Sequence, residues 1–301
     1  MILFCDFNPK LTRQYYTEEF YKNRKNKAED LRVYPSGNGI DMAVFAKNLS
    51  EEGEVFLLEG LSIGREITTS LKELGIHCHR VKLKDDNVEH LVVKQNRQKT
   101  EVMTPEPRIT MEDRNDILAA FYEACSDKKI VIVAEIDNES LSPDLYEKLI
   151  HHCYQKNIKI GVTVSDLFDI KSAKPYLLVI EKDQLEKDKP IYYTSEVLQK
   201  GRLLIDKGVG ILFVLSQKGA IIMTKDKNYH GYFTEQKDRI EKVNKNLMLT
   251  GLSIGIERDY NFETSIKLGL ACSIWENFNK FRQVEMSEIK KWMNTIVVEE
   301  I

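Results

Sequence analysis

A short stretch near the N-terminus combines a predicted strand, a glycine-containing turn and a helix. It reads YPSGNGIDMA over residues 34–43, with glycine at positions 37 and 39. Glycine permits a tight turn, and the backbone N–H groups at the start of the following helix attract anions such as phosphate. The segment is therefore typical of the phosphate-handling loops of α/β enzymes.

Two histidine pairs have the composition of a metal site but lack its spacing. In a strand, His77 and His79 would share one face and could chelate an ion. No third or fourth ligand lies near them in the sequence, and His151 and His152 are simply neighbours. We therefore predict no metal site.

Composition limits the class of protein. The 301 residues include 47 acidic and 44 basic ones, a formal net charge of −3, whereas nucleic-acid binders present a basic face. The five cysteines are an odd number with no CxxC spacing, which indicates reduced thiols in a cytosolic protein. The apolar start ends at Asp6, too early for a secretory signal, and no stretch approaches the roughly 18 uncharged residues of a membrane span. We expect a cytoplasmic protein with no nucleic-acid or membrane partner.

Short apolar runs alternate along the chain with longer amphipathic segments, which predicts an α/β fold around a mostly parallel sheet. Continuous β-branched runs favour strands that are covered on both faces. The predicted strands are 1–5, 54–58, 130–134, 158–164, 176–180 and 210–215. Apolar residues at helical spacing predict helices over 40–49, 67–74, 111–125, 143–155, 193–207 and 262–279.

Two segments break this alternation. Residues 11–34 are polar, aromatic and basic, and residues 81–102 alternate in period two. Both predict antiparallel strands outside the main sheet, and a small sheet beside an α/β core commonly forms a lid over a cleft. We expect an α/β core made of residues 1–10, 35–80 and 108–301, and a β lid made of residues 11–34 and 81–107.

The glycine turn resembles the PGGKGINVA motif of the PfkB (ribokinase-like) carbohydrate kinases, in the branch of 1-phosphofructokinase and tagatose-6-phosphate kinase. The resemblance covers nearly the whole chain. Similar segments are MIL at 1–3 with NP at 8–9, TE at 100–101, PDLY at 143–146, KPY at 174–176, VN at 243–244, MLTGL at 248–252 and LGLA at 268–271. It implies a three-layer αβα core with a mostly parallel sheet and a β lid. It also implies a reaction in which a sugar hydroxyl attacks the γ-phosphate of ATP while an aspartate takes its proton.

The sugar side departs from the family pattern at the positions that handle charge. Asn38 replaces a lysine for the sugar phosphate, Asp41 replaces an asparagine for the sugar hydroxyls, and Thr12 replaces an aspartate. Val88 and His90 occupy the places of an arginine and an asparagine. The resemblance nevertheless makes six residues the candidates for a sugar pocket: Thr12, Gly37, Asn38, Gly39, Asp41 and His90.

The nucleotide side departs further. The family's GAGD motif, which carries the aspartate base and the N–H groups for the transferred phosphate, is missing between Asn244 and Met248. No carboxylate lies between Glu241 and Glu257, so no catalytic residue is intact and the base position near Asn246 and Leu247 is vacant. The family's KPNxxE and SLGxxGA become VIEKDQ at 179–184 and VLSQKGA at 214–220. The candidates for a nucleotide pocket are Glu181, Ser216, Gly219 and Gly251.

These departures leave two functions open. The chain retains residues that a scaffold needs and lacks those that only the chemistry needs, which favours a catalytically silent pseudokinase that binds a metabolite or a partner, with no certain cofactor. The whole-length resemblance favours the alternative, an active ATP- and Mg²⁺-dependent sugar-phosphate kinase with an unorthodox site. In either case we expect a sugar phosphate or another small metabolite as ligand. We also expect a homodimer through the aromatic lid residues Tyr15, Tyr16, Phe20 and Tyr21.

Overall fold

The computed structural model describes residues 1–96, 98–136, 138, 141, 144–170, 173–186, 189–235, 240–278 and 284–301. In chain order the strands are β1 (Ile2–Asp6), β2 (Lys10–Thr17), β3 (Asp30–Ser36), β4 (Gly53–Glu59), β5 (His77–Lys82), β6 (Val88–Gln95), β7 (Gln98–Met103), β8 (Ile130–Val133), β9 (Lys159–Thr163), β10 (Leu177–Glu181), β11 (Ile211–Ser216), β12 (Gly219–Met223), β13 (Asn228–Phe233) and β14 (Ile296–Glu300).

The helices are α1 (Asn38–Asn48), α2 (Ser62–Glu73), α3 (Met111–Ala124), α4 (Asp144–Gln155), α5 (Thr194–Asp206), α6 (Lys245–Glu257), α7 (Phe262–Ser273), α8 (Trp275–Phe278) and α9 (Met286–Met293). The predicted start of one helix at residue 143 and the predicted end of another at residue 279 lie outside the described residues. Among the residues described, no helix has the length and apolar character needed to cross a membrane.

The main sheet has the strand order β14-β13-β12-β11-β10-β9-β8-β1-β4-β5. From β11 to β5 neighbouring strands run parallel, and β12 to β14 extend the β11 side with antiparallel pairs. The predicted α/β class with a mostly parallel sheet is therefore confirmed.

Strand β1 shows why the sheet is covered on both faces. All five of its residues are buried, and successive side chains of a strand point to opposite faces. Ile2 and Phe4 pack in the apolar core shared with α1, α2, α6 and α7, whereas Leu3 and Cys5 pack in the core shared with α3, α4 and α5. The result is the three-layer αβα architecture predicted from the sequence.

A second sheet has the order β3-β2-β6-β7. Its outer pairs are antiparallel, but the central pair, β2 and β6, is parallel, which differs from the antiparallel arrangement we predicted. The reason is that β2 follows β1 and β6 follows β5, so both leave the same edge of the main sheet in the same direction. We call this four-stranded sheet the lid.

Strand β5 of the main sheet, which was not among the predicted strands, runs two residues past residue 80, where we expected the core segment to end. Val81 and Lys82 pair with Leu58 and Glu59 of β4 as the end of β5, although the sequence interpretation assigned them to the lid. Alternation of apolar and polar residues continues through this point, so the pattern alone gives no sign that the pairing partner changes.

Candidate functional site

A cavity of about 300 Å³ lies where the C-terminal end of β1 meets the lid. This is the edge of a parallel sheet at which α/β proteins commonly bind ligands. All six predicted sugar-pocket residues line it: Thr12, Gly37, Asn38, Gly39, Asp41 and His90. The structure thus brings together residues that lie up to 78 positions apart in the sequence.

The glycine turn packs closely against the end of β1. Gly37 has a φ of 138°, and a Cβ there would lie 2.3 Å from an oxygen of Asp6. A Cβ on Gly39 would lie 2.4 Å from the carbonyl oxygen of Cys5. Both glycines are therefore required by the close approach of the two backbones.

Asp6, the last residue of β1, occupies the N-terminus of α1. Its buried carboxylate accepts hydrogen bonds from the backbone N–H groups of Asn8 and Ile40, each at 3.0 Å. Burial raises the pKa of Asp6, while these N–H groups and the charge of Lys10 oppose the rise. The N–H groups of the helix N-terminus that could attract a ligand anion are thus already bonded to a carboxyl group of the protein.

Asp41 lies one helical turn further along and faces the cavity. Its side chain is in contact with the water of the cavity. Protein atoms of the cleft nevertheless surround the carboxyl group closely enough to remove much of its solvation. This desolvation, and secondarily the negative charge of Asp6, raises the pKa of Asp41 to about 7. A carboxyl group that titrates near neutral pH therefore lines the cavity.

Asn38 connects this cavity to the start of α6 through side-chain hydrogen bonds. Its amide donates to the carbonyl oxygen of Glu135 at 3.1 Å and accepts from the amide of Asn246 at 3.2 Å. Asn246 in turn accepts from the hydroxyl of Thr163 at 2.7 Å, and the N–H of Glu135 donates to the same hydroxyl at 3.1 Å. Side-chain hydrogen bonds therefore link the glycine turn of the predicted sugar pocket to the region near Asn246, where the sequence interpretation placed the vacant base position.

The start of α6 is capped by its own chain. The side-chain oxygen of Asn244 accepts from the N–H groups of Asn246 at 3.0 Å and Leu247 at 3.1 Å. The N–H of Met248 donates to the backbone oxygen of Asn244 at 3.0 Å. Leu247 and Met248 are buried at 6% and 0% exposure, so apolar side chains and a capping amide occupy the position at which the resemblance expected a base.

Lys245, the first residue of α6, is also engaged. Its ammonium lies 2.8 Å from a carboxylate oxygen of Glu135 and donates to the carbonyl oxygen of Val164 at 2.7 Å. The side chain of Lys245 is only 14% exposed. The cation nearest to this helix start is therefore held by protein groups.

The nucleotide-pocket candidates are only partly brought together. Glu181 ends β10 and is half-buried, which raises its pKa, and Ser216 ends the neighbouring strand β11. The hydroxyl of Ser216 donates to the carbonyl oxygen of Gly219 across the β11–β12 turn at 3.1 Å.

Gly251 lies buried within α6, and a Cβ there would lie 2.8 Å from both the Cα of Gly269 and the carbonyl oxygen of Leu268 in α7. The close packing of these two helices therefore requires a glycine at this position, and a place for Gly251 in a nucleotide pocket stays a prediction.

His90 is positioned by the lid. One ring nitrogen lies 2.8 Å from a carboxylate oxygen of Glu101, and the other lies 3.3 Å from the hydroxyl of Thr12. The Thr12 hydroxyl also lies 2.6 Å from that of Ser36. The cavity wall on the lid side is therefore rich in hydroxyl and imidazole groups.

The histidine pair on β5 has a third neighbour that the sequence interpretation missed. Glu54, the register partner of His77 in β4, brings its carboxylate within 4.8 Å of ligand atoms of His77 and His79. One oxygen of Glu54 already lies 2.7 Å from His79 and 3.0 Å from the ammonium of Lys128. We interpret the cluster as an ion-pair network that joins the edge strand to the sheet.

The cavity also contains residues that sequence reasoning did not select: Asp6, Lys10 and Tyr34. For Asp6 a signal existed, because a carboxylate directly follows the buried run of β1 and so must lie at the ligand-binding edge of the sheet. Lys10 and Tyr34 carried no such signal, because their placement depends on how the lid strands pair.

A three-layer αβα core, a β lid, and a polar cavity between them at the carboxyl edge of the sheet define the carbohydrate-kinase class of fold. Comparison with known proteins agrees. The model of the pfkB family of carbohydrate kinases matches residues 10–236, and the chain belongs to this family.

Several relatives are similar over almost their whole length. The 1-phosphofructokinase of Bacillus subtilis (strain 168) is 24% identical over 275 residues, which cover 90% of each protein. A crystal structure from Staphylococcus aureus, provisionally named a phosphofructokinase, superposes with a TM-score of 0.88 at 23% identity, covering 100% of this chain and 99% of that one. Phosphofructokinase-2 of Escherichia coli, in complex with potassium, superposes with a TM-score of 0.83 at 15% identity, covering 97% and 98%.

Proposed function

We propose that the protein is a catalytically silent member of the pfkB family that binds a small polyhydroxylated metabolite in the cavity beneath the lid. The observation that carries this proposal is the capped start of α6. Its first N–H groups are bonded to Asn244, and Lys245 is paired with Glu135. In the family this is the place where the transferred phosphate and the base would be needed.

These residues do not fit the phosphates of a nucleotide. To bind phosphate, the helix start would have to release the Asn244 side chain, because one N–H cannot serve both acceptors at full strength. Lys245 would have to leave Glu135, which would then remain half-buried without its partner. We therefore derive no step through ATP or Mg²⁺.

The expected effect on catalysis is large. Loss of a general base typically costs 10²–10⁴ in rate, and loss of one donor to a developing anion costs about 10²–10³. Such losses do not simply add. Their combination nevertheless supports a rate of phosphoryl transfer near background.

An assay of ADP release with fructose 1-phosphate, fructose 6-phosphate and tagatose 6-phosphate tests the proposal. We expect no release above the rate without sugar. Release that depends on one sugar phosphate, and that disappears in the Asp41→Asn variant, would overturn the proposal.

A second candidate function, an active sugar-phosphate kinase, is favoured by one observation. Asp41 lines the cavity with a pKa of about 7, which is the property of a general base at neutral pH. Under this alternative the turnover rate would rise with pH through 7 as Asp41 ionises. The same assay at several pH values separates the two functions.

The proposal includes a homodimer through the lid in the cytoplasm. Leu31 and Val33 of β3, and Val102 and Met103 of β7, are 47%, 40%, 59% and 56% exposed. Of the predicted interface aromatics, Tyr21 is exposed at 47%, whereas Tyr15, Tyr16 and Phe20 are intermediate. By register, Leu31, Val33 and Val102 lie on one face of the lid, whereas Met103 lies on the opposite face with His90 and Thr12. The exposed apolar residues of the first face support a contact between two copies of the chain.

A further inference from the structure

The charges that line the cavity are mostly negative. Among the described residues, its wall includes three carboxylates, those of Asp6, Asp41 and Glu135, and one ammonium, that of Lys10. His90 adds an imidazole that lies beside Glu101. A doubly charged phosphate entering this space would meet three carboxyl groups and one ammonium among the described lining residues.

Two of the three carboxylates already have partners in the protein. Asp6 accepts backbone N–H groups at the start of α1, and Glu135 is paired with Lys245. Asp41 is the carboxylate that opens to the cavity. It faces the charges of Asp6 on β1, Glu276 on α8 and Lys10 on β2, together with the phenol of Tyr34 on β3.

The cationic groups of the lid are directed elsewhere. The guanidinium of Arg13, on β2 beside the cavity, lies 2.6 Å from Glu89 and 2.9 Å from Glu66. Among the described cavity-lining residues there is no arginine. A phosphate group would thus lack the bidentate guanidinium contacts that usually hold it.

The remaining wall suits neutral hydroxyl groups. The hydroxyls of Thr12, Ser36 and Tyr34 line the cavity and can each donate or accept a hydrogen bond. The hydroxyls of Thr12 and Ser36 already bond to each other, and that of Tyr34 donates to the side chain of Gln14. A hydroxyl oxygen can accept a further hydrogen bond, so a polyol could bind here without bringing charge into the cleft.

From the charges and hydroxyls of this wall, we infer that the cavity selects a polyhydroxylated ligand that carries a protonated amine, with the ammonium beside Asp41, over the phosphorylated ligand of the same size. The inference rests on the proposed function, whose ligand class it specifies. An ammonium beside Asp41 would add a second positive charge to that of Lys10, whereas a phosphate would be repelled by the ionised Asp41.

Binding of such a ligand would be coupled to a proton. Because the ammonium favours the ionised carboxylate, it would lower the pKa of Asp41 from about 7. Near pH 7 binding therefore releases a proton, and affinity rises between pH 6 and pH 8 while the amine remains charged. A neutral polyol would show neither effect.

Isothermal titration calorimetry with three matched probes tests the inference: glucamine, sorbitol and sorbitol 6-phosphate. At pH 7.5 we expect glucamine to bind the wild-type protein at least about tenfold more tightly than sorbitol 6-phosphate. A tenfold ratio of affinities corresponds to a shift of one unit in the pKa of Asp41. Titration in two buffers of different ionisation enthalpy should show proton release with glucamine and none with sorbitol.

Two variants separate the role of Asp41 from general charge effects. Asp41→Asn should lose roughly tenfold in affinity for glucamine and keep its affinity for sorbitol. Asp206→Asn, which removes an exposed carboxylate at the end of α5, should leave both affinities unchanged.

Tighter binding of sorbitol 6-phosphate than glucamine, an unchanged preference in Asp41→Asn, or no binding of any probe would each overturn the inference. These outcomes are distinct from failure of the proposed silent function, which is detected only as sugar-dependent ADP release.

Discussion

At the scale of single residues, a carboxyl group and an amide of the protein itself bond to the N–H groups at the starts of the two helices α1 and α6. Asp6 fills the start of α1, and Asn244 fills the start of α6. Asp41 is left facing the cavity with a raised pKa. Of these three residues, only Asp41 could be read from the sequence as a departure from the family motif; the roles of Asp6 and Asn244 follow from the structure.

The titration of Asp41 predicts how stability depends on pH. The pKa of its carboxyl group is about 7 in the folded protein, whereas that of an unperturbed aspartate is 3.8. The folded state therefore loses stability relative to the unfolded state as the pH rises from about 4 to 7, and the full cost is present above 7.

Asp41→Asn removes this cost and should stabilise the protein most at pH 8, with the gain vanishing near pH 4. Because the side chain is open to cavity water, we expect a gain on the order of 1 kcal/mol, or roughly 2 °C in Tm. Thermal unfolding at pH 4, 6 and 8 measures it. A gain that is equal at all three values, or that also occurs in Asp206→Asn, would contradict the assignment.

At the scale of elements, the strands in the middle of the parallel part of the sheet were predictable, whereas the edge strand β5 and the antiparallel strands β12 to β14 were not. Continuous apolar runs located β1, β8 and β11 because both faces of these strands are covered. Strands β5 and β14 were missed, because each lies at an edge of the sheet and carries exposed charged residues. Their pairing partners are distant in the sequence.

The residue at which a helix starts can depend on a contact with a distant part of the chain, which no local sequence pattern reveals. Helix α2 begins at Ser62, five positions before the predicted start at Ile67. The carboxylate of Asp86, from the loop before β6, accepts from the N–H groups of Ser62 at 3.0 Å and Ile63 at 2.9 Å. Likewise, the hydrogen bond from Asn246 to Asn38, two residues 208 positions apart, could not be predicted from any local sequence pattern.

The side chain of Asn244, which caps the start of α6, should contribute measurably to the stability of the protein. Replacement Asn244→Ala removes the acceptor for two N–H groups and should cost about 1 kcal/mol of unfolding free energy. Asn261→Ala is the matched control, because Asn261 caps α7 by accepting from Thr264 at 2.8 Å. Urea unfolding should show similar losses for both. A loss of less than a few tenths of a kcal/mol for Asn244→Ala alone would show that the cap does not hold the start of α6.

At the scale of the whole molecule, the family fold is retained around a site with different electrostatics. The three layers, the sheet order and the lid agree with structures that superpose at a TM-score of up to 0.88. The division of the chain into an α/β core and a lid remains our proposal, and the two sheets support it. The lid provides both the roof of the cavity and the exposed apolar surface.

The proposed dimer can be tested on that surface. Replacement Val102→Lys places a charge on the exposed face of β7 and should shift the protein from dimer to monomer in light scattering coupled to size-exclusion chromatography. Leu203→Lys is the matched control, because Leu203 is 62% exposed on α5, away from the lid. A monomeric wild-type protein, or dissociation caused equally by both changes, would contradict a lid interface.

The most direct test of the central claim is the rate of ADP release by the wild-type protein with Mg²⁺-ATP and each sugar phosphate, measured beside the 1-phosphofructokinase of Bacillus subtilis as a positive control. The capped α6 and the Lys245–Glu135 pair predict a rate equal to that without sugar, at every pH from 6 to 8. A sugar-dependent rate that rises through pH 7 and is abolished in Asp41→Asn would contradict the account and identify an active kinase.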